Sequence, residues 1–429
     1  MTSTAERTVE VVRLPPQRWR ESFDLFMSTL HMHPVADERW DQMRGIYHPE
    51  RVYGVLDGGD GPVVGTLMYS PYRMALPGGH LVPAYCGTAA GVRADQTRRG
   101  VFGRMVTTRL RDMAERGESL LLARPSTADL WQRWGTGPAA RAQGFRIDRL
   151  RGRLRPELAP RRERVRRLAP DTDLGAVLPG IQRRAAVGRP GTVARSDAWW
   201  DCWNPHTRAP GAVHAAVVHG STGNPDSTDS TSTDSTDGAV GYVTWYVSFE
   251  GAELASMRRV VHVLELFAAT PDAAADLWCY LLSLELVEEI RALGRPLDEQ
   301  VPLLLTDERA CQVGEVRDEL WLRIVDVADA LRLRGWAPTA AESVVLEVFD
   351  DRLPSNTGCY RISSEGAERT GRPADLSCSV LHLATMYLGD RLPSHLAAAG
   401  MLEVHDRASL AHADRLFATS AAPWGGSMF

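Results

Sequence analysis

The sequence contains no lysine, so all 49 of its basic residues other than histidine are arginine. A GK[ST] phosphate loop and any Schiff-base chemistry require that lysine, and both are excluded. Cysteine is sparse as well. The six present (Cys86, Cys202, Cys279, Cys311, Cys359 and Cys378) show no CxxC or CxxH spacing, which argues against a zinc site or a disulfide framework. Buried, unreactive thiols are the remaining reading, and no metal is expected. No apolar run approaches the roughly 18 residues of a membrane span, and the opening "MTSTAERTVEVV" has no apolar core of a signal peptide. Positive charge is not in excess either: a formal net charge of −5 gives no support to a nucleic-acid or membrane partner. The expected setting is cytoplasmic.

What is present is a chain of 429 residues, too long for one ordinary core, with 44% apolar and 24% charged residues. Two or three soluble domains are expected. Up to about residue 150, helical and strand-like stretches alternate. "QRWRESFDLFMSTL" is helical, "RVYGVLDGGDGPVVGTLMYSPYRMAL" reads as two strands about a Gly-Asp turn, and "LVPAYCGTAAGV" reads as a third. After a turn comes a helix whose apolar residues Phe102, Met105, Val106, Leu110 and Met113 form one face, with arginine assigned to the other. "SLLLARP" then reads as a short buried strand.

A second module carries the strands "AVHAAVVHG" and "AVGYVTWYVSF", joined by Ser/Thr/Asp-rich residues 221–238, which have no core to enter and read as a surface loop or a phosphorylated one. A third module begins near "DELWLRIVDVADALRLRGW". It contains the strands "SVVLEVFDDRL" and "GCYRIS" and the helix "DLSCSVLHLATMYLG", which suggests an α+β unit.

The stretch "GVRADQTRRGVFGRMV" (91–106) carries the chemistry. A strand delivers the chain to Arg98, Arg99 and Gly100, and a helix follows at once. Free N–H groups and the positive helix end therefore converge on one point. Gly100 permits close approach and the arginines add charge, so a phosphate-bearing ligand is implied. The plainer reading is a solvated helix start.

Three stretches together raise the first reading: "LVPAYCGTAAGVRADQTRRGVFGRM", "RPSTADLWQRWGTGPAA" and the closing "DRLFATSAAPWGGSMF". In order and spacing they resemble the Eis (enhanced intracellular survival) N-acetyltransferases of the GCN5-related (GNAT) superfamily. The resemblance implies an α+β fold of tandem GNAT-like domains followed by a sterol-carrier-protein-like domain. The units would be 1–155 (acetyl-CoA binding), 156–305 (GNAT-like without a cofactor loop) and 306–429. It also implies a homohexamer. Ala90 and Val92 would pair with the pantetheine arm. The backbone of Arg98, Arg99, Gly100, Val101, Phe102 and Gly103 would hold the pyrophosphate of acetyl-CoA, and Ser126 would lie near the thiol end. In the second unit "TPDAAA" begins a helix with Pro271 in its first turn and Asp272 beside it, a poor phosphate site, so one acetyl-CoA per chain is expected.

In the resembled family a C-terminal carboxylate on an aromatic residue helps deprotonate the amine, which assigns Phe429 that role. A tyrosine protonates the departing sulfur, and here Trp131 stands in its place. Indole N–H donates a hydrogen bond but not a proton. Three consequences compete: Tyr85 or water is the acid, the thiolate leaves unassisted, or acetyl transfer has been lost and the protein binds or acylates something else. For the acceptor, the resemblance places His33, Asp37 and Trp40 at the cleft, where acidic groups would favour small cationic amines of aminoglycoside or lysine type. A small-molecule amine is thus the expected partner.

Overall fold

A computed structural model describes residues 9–158, 164–203, 209–220, 238–251, 257–338 and 343–428. After a two-residue strand at Val12–Arg13, the first unit has helices α1 (Trp19–Thr29) and α2 (Asp37–Met43), then an antiparallel run of β1 (Val52–Leu56), with which that short strand pairs, β2 (Val63–Leu76) and β3 (His80–Val92). Helix α3 (Val101–Glu115), β4 (Leu120–Ala123), α4 (Ala128–Gln132) and β5 (Gly137–Asp148) follow. The expected helix and strands of this region form where their periodicity places them.

The second unit contains α5 (Leu174–Ala186), α6 (Asp197–Cys202), β6 (His214–His219), β7 (Ala239–Glu250), β8 (Arg258–Ala268), α7 (Pro271–Leu282) and β9 (Glu289–Arg295). The expected hairpin is β6 with β7. Of its Ser/Thr/Asp-rich connection, residues 221–237 lie outside the described residues, so the loop and phosphorylation readings are not reached.

The third unit diverges from the sequence reading at its start. Strand β10 (Arg317–Ile324), taken from "DELWLRI", does not join the C-terminal sheet but lies between β4 and β5. Strand β5 in turn pairs with β9 of the second unit. The two units therefore exchange terminal strands and share one sheet of 14 strands. A boundary at 305/306 assigns β10 to the third unit by sequence, whereas its hydrogen bonds belong to the first. Alternating burial cannot reveal this, because every residue of β10 from Glu319 to Ile324 is buried, as a strand covered on both faces must be.

Helix α8 (Val327–Leu333) leads into a separate five-stranded sheet of β11 (Val344–Phe349), β12 (Gly358–Ser363), β13 (Gly366–Thr370), β14 (Leu376–Ser379) and β15 (Glu403–Val404). The sheet packs against α9 (Val380–Tyr387), α10 (Pro393–Ala398) and α11 (Arg407–Phe417). "DLSCSVLHLATMYLG" was expected to be helical throughout. Its first part is β14, and the helix begins only after Ser379, whose side chain caps it by accepting from His382 N–H. Residues 418–428 leave α11 as a strap that crosses back over the second unit to the first.

Candidate active site

Strands β3 and β4 run parallel but pair only at Tyr85–Leu121 and Cys86–Leu122, then part. Their divergence is reinforced by a bulge: β3 loses register with β2 between Gly91 and Thr88, and Ala89 adopts φ 49° to accommodate it. Ala90 and Val92 lie on the parted arm of β3, half-buried, with edge backbone facing the fork.

At the mouth of the fork stands the N-terminus of α3. Gly100 caps it at φ 79°, with no side chain accepting from the helix and no acidic residue in the first turn. A Cβ at Gly100 would meet nothing within 4 Å, so the space above the first-turn N–H groups of Val101, Phe102 and Gly103 is open. Arg98 and Arg99 are exposed beside it, Arg98 at φ 61°. A cavity of about 440 Å³ runs along the helix past Gly103, Arg104, Thr108, Arg111 and Trp134. An anion with an extended polar body fits this arrangement.

The second unit repeats the geometry and reverses its details. Strands β8 and β9 are also parallel, paired over Val260–Val263 and Glu289–Ala292, with α7 beginning at the fork. There Thr270 caps the helix by accepting from Ala273 N–H, Pro271 has no N–H to offer, and Asp272 places negative charge in the first turn. Trp424 is wedged into the fork, its ring 5.0 Å from Phe267 of β8 and its Nε1 donating to Gly294 O of β9 at 2.7 Å, and a cavity of about 190 Å³ remains between it and Thr270 and Pro271.

From that wedge the strap is held residue by residue. Gly425 N and Gly426 N donate to the Glu319 carboxylate at 2.8 and 3.0 Å. A Cβ at Gly425 would lie 2.9 Å from Glu319 Oε2, so glycine is what lets the backbone reach that acid. Arg195 donates to Gly426 O and Ser427 Oγ while forming a buried two-pronged pair with Glu265 at 2.8 and 2.9 Å. Arg124, directly after β4, bonds Glu319 and donates to Ser427 O at 2.8 Å; Trp199 of α6 donates to Met428 O. The strap thus ends beside the carboxyl end of β4, where the first fork opens. Phe429 lies outside the described residues.

Beside the strap lies a second cavity of about 550 Å³, bounded by Arg124, Glu319 and Ser427 on one side and by β7, β8 and β9 on the other. Its walls include Val263, Phe267, Leu293, Met428 and the stacked rings of Tyr246 and His262, 4.5 Å apart. His262 shares a hydrogen bond with Ser248 Oγ, and burial, with Arg291 nearby, lowers its pKa.

The residues expected at the acceptor cleft do not line this cavity. His33 is exposed, and Asp37 is exposed and paired with Arg20 at 2.7 Å. Trp40 packs with Phe23 and Tyr47 under α1. They approach the strap only indirectly, through α2 on α6, where Arg39 donates to Cys202 O. Ser126 is exposed in the turn from β4 to α4.

Trp131 is buried, 8% exposed, with the edge of its ring against Phe102 at 5.4 Å. Phe102 is therefore the packing partner of Trp131, the residue that stands where the resembled family has a tyrosine. Tyr85 lies at the closed end of the fork. Burial, with Glu118 next, raises its pKa, so it stays protonated through the neutral range. All six cysteines are free thiols and five are buried.

Two residues of the site have no role in the sequence reading, although Arg124 opens "RPSTADLWQRWGTGPAA" and Glu319 lies in "DELWLRIVDVADALRLRGW". Arg124 and Glu319 belong to different units, and only the strand exchange brings them together. Arg109 was assigned to the solvent face of α3, yet it is 1% exposed. Its spacing from Val101, Met105 and Met113, four residues apart throughout, was the available signal.

A fork beside an open helix end, on a tandem α+β scaffold followed by a small third domain, defines a GNAT-type acyltransferase. Comparison agrees. Residues 10–139 and 230–324 each match the acetyltransferase (GNAT) domain family, and residues 327–426 match the sterol carrier protein domain family. A protein of Streptomyces coelicolor, described as an uncharacterized N-acetyltransferase, is 31% identical over 97% of this chain and 98% of its own. N-acetyltransferase Eis of Mycobacterium bovis is 30% identical over 85% of this chain and 86% of its own. The crystal structure of Eis1 from Mycobacterium abscessus superposes with a TM-score of 0.84 at 29% identity, covering 98% of this chain and all of that one. The chain belongs to the Eis family of N-acetyltransferases. Among the described residues no helix is long and apolar enough to cross a membrane.

Proposed function

We propose that the protein transfers the acetyl group of one acetyl-CoA per chain to a primary amine of a small molecule, using the fork of the first unit only. The observation that carries the reading is the contrast between the two helix starts. Gly100 leaves the first open to an anion, whereas at the second Thr270 caps the helix, Pro271 removes a donor and Asp272 repels an anion, with Trp424 wedged in the fork beside a smaller cavity of about 190 Å³. The first-turn N–H groups of Val101, Phe102 and Gly103, with Arg98 and Arg99, bind the pyrophosphate. The parted backbone at Ala90 and Val92 receives the pantetheine arm, and Ser126 lies toward the thiol end. The acceptor amine enters the cavity beside the strap. The residue after Met428 is Phe429, to which the family resemblance assigns the carboxylate that orients the amine. A cytoplasmic homohexamer belongs to the same reading, supported by the resemblance and by the exposed apolar residues Phe249, Leu286, Leu293 and Leu303.

The resemblance favours a small cationic acceptor of aminoglycoside or lysine type. A second acceptor class is favoured by the cavity itself. Its two carboxylates, Glu265 and Glu319, are already neutralised by Arg195 and Arg124, and its other two arginines, Arg291 and Arg295, are themselves paired with Glu250, Glu289 and Glu299, so among the described residues the walls carry no unpaired acid to draw a polycation. Such walls suit an amine on an apolar or aromatic body better than a polycation.

The test is release of free thiol from acetyl-CoA with aminoglycosides, lysine peptides and aromatic amines, alongside calorimetric binding of acetyl-CoA. Turnover with a stoichiometry of one supports the reading, and the preferred panel member decides the acceptor class. Tight binding with no turnover on any amine would mean that the fold has kept its ligand and lost the transfer.

A further inference from the structure

Among the described residues Arg109 is a cation without a counter-ion. It sits on the sheet side of α3 among Met105, Val106, Leu110 and Met113, and its Nε and Nη1 are buried with no hydrogen-bond acceptor. Burial pulls its pKa down to about 10; Tyr53 and Tyr69 act the other way, and Arg323 lowers it further. Arg323 is itself held by Asp350 at 2.7 and 2.8 Å, so that carboxylate is already engaged. A buried cation without a partner is strongly unfavourable, and such groups persist where a function uses them.

Its position suggests the function. Nη1 lies 3.0 Å from the point where a Cβ on Gly87 would stand, and Leu122 O lies 3.5 Å from the same point. Gly87 follows Cys86, and Cys86–Leu122 is the last pair before β3 and β4 part. The guanidinium therefore underlies the closed end of the fork. On its other side it faces the ring of Trp131 at 5.5 Å, and that residue occupies the place where an acid would otherwise serve the departing sulfur.

We propose that Arg109 supplies the positive charge that stabilises the thiolate released from the acyl donor, so that no proton donor is needed at residue 131. The proposal rests on the acetyltransferase reading above. In the step concerned, the amine nitrogen bonds to the thioester carbon and the carbonyl π pair moves to oxygen. That pair returns as the C–S bond breaks, and sulfur leaves with the bonding pair. The proton lost by nitrogen passes to water, and the thiolate takes a proton from solvent on release. Arg109 keeps its own protons throughout, and Trp131 shields it from water.

The test uses free CoA as a probe of the site: the thiolate absorbance of bound CoA is titrated against pH in the wild type, Arg109→Met and Arg109→Lys. An opposite charge within about 4–6 Å lowers a pKa by about 1–3 units, so the bound thiol should titrate that far below its free value of about 8.5. Arg109→Met should abolish the depression, and Arg109→Lys should restore part of it. Methionine in place of an unpaired buried charge is not expected to prevent folding. A purely structural arginine would change stability and leave the bound thiol's titration unmoved. Should the wild-type thiol titrate at or above its free value, or the Met variant keep the depression, the proposal fails while acetyl transfer stands. Absence of CoA binding to the wild type would remove both.

Discussion

Replacing Trp424 with alanine should undock the strap and disable the acceptor side without touching the cofactor side. Trp424 is 6% exposed, wedged between Phe267 and Gly294, with the Arg295 guanidinium 4.8 Å from its ring. Truncating a buried tryptophan typically costs about 3–5 kcal/mol, and here the hydrogen bond to Gly294 O goes with it. That loss falls on docking of residues 424–428 and not on global folding, because the strap is a local unit whose other contacts are polar. At 1.4 kcal/mol per tenfold, the docked fraction relative to undocked should fall by about 10²–10⁴-fold. Hydrogen–deuterium exchange of residues 424–428 reads the undocking directly. Steady-state kinetics should show kcat/KM for the amine falling steeply, while the calorimetric Kd for acetyl-CoA changes less than about twofold. Fast exchange in the strap combined with unaltered amine kinetics would refute the assignment of the neighbouring cavity to the acceptor.

Other consequences follow from the same geometry. Trp131→Tyr should change kcat by less than about tenfold if Arg109 meets the charge on sulfur, whereas a gain of about 10²–10⁴ would reveal a missing general acid. Glu265→Ala leaves Arg195 buried and unpaired, which should lower stability in urea by about 3–5 kcal/mol and loosen Gly426 and Ser427 at the same time. The pKa values of His214, His262 and His382 are all lowered, chiefly by burial. The unfolded chain therefore takes up protons first as pH falls below about 6.5, and Tm should drop from pH 7 toward pH 5.5. A flat Tm across that window would contradict the burial of these rings.

The elements of the first unit were legible because each obeys one local rule. Strands β2 and β3 carry their turn signals, and α3 carries both its glycine cap and its apolar spacing. The open start of α3 could be read for the same reason: its arginines, its glycine and its first-turn N–H groups fall within six consecutive residues, 98–103. What stayed hidden depends on pairs distant in sequence. Arg124 and Glu319 meet 195 residues apart. The strand from Arg317 to Ile324 looks like the start of a new domain until its hydrogen bonds to β4 and β5 are known. Arg109 was misplaced for another reason: residue type outweighed spacing, although the four-residue interval put it on the buried face. Asp37 does not line the cavity beside the strap, because Arg20 holds it at the surface, a pairing across 17 residues that its neighbours in sequence do not announce.

The duplicated fork also explains how the end of the third unit reaches the first. A fork between parallel strands presents unpaired backbone groups, and those must bond to something. In the second unit Gly294 O is satisfied by the indole of Trp424, so the groove that would otherwise take a ligand takes the chain's own strap. The strand exchange fixes how far that anchor lies from the first fork, because β5, β10 and β9 belong to one continuous sheet. Only three residues separate Trp424 from Met428. An anchor at the second fork therefore confines the end of the strap to the vicinity of Arg124 and Trp199, beside the first. On this argument the second unit serves as a ruler for the strap, and shortening the strap by one glycine at 425 or 426 should cost amine turnover even with Trp424 intact.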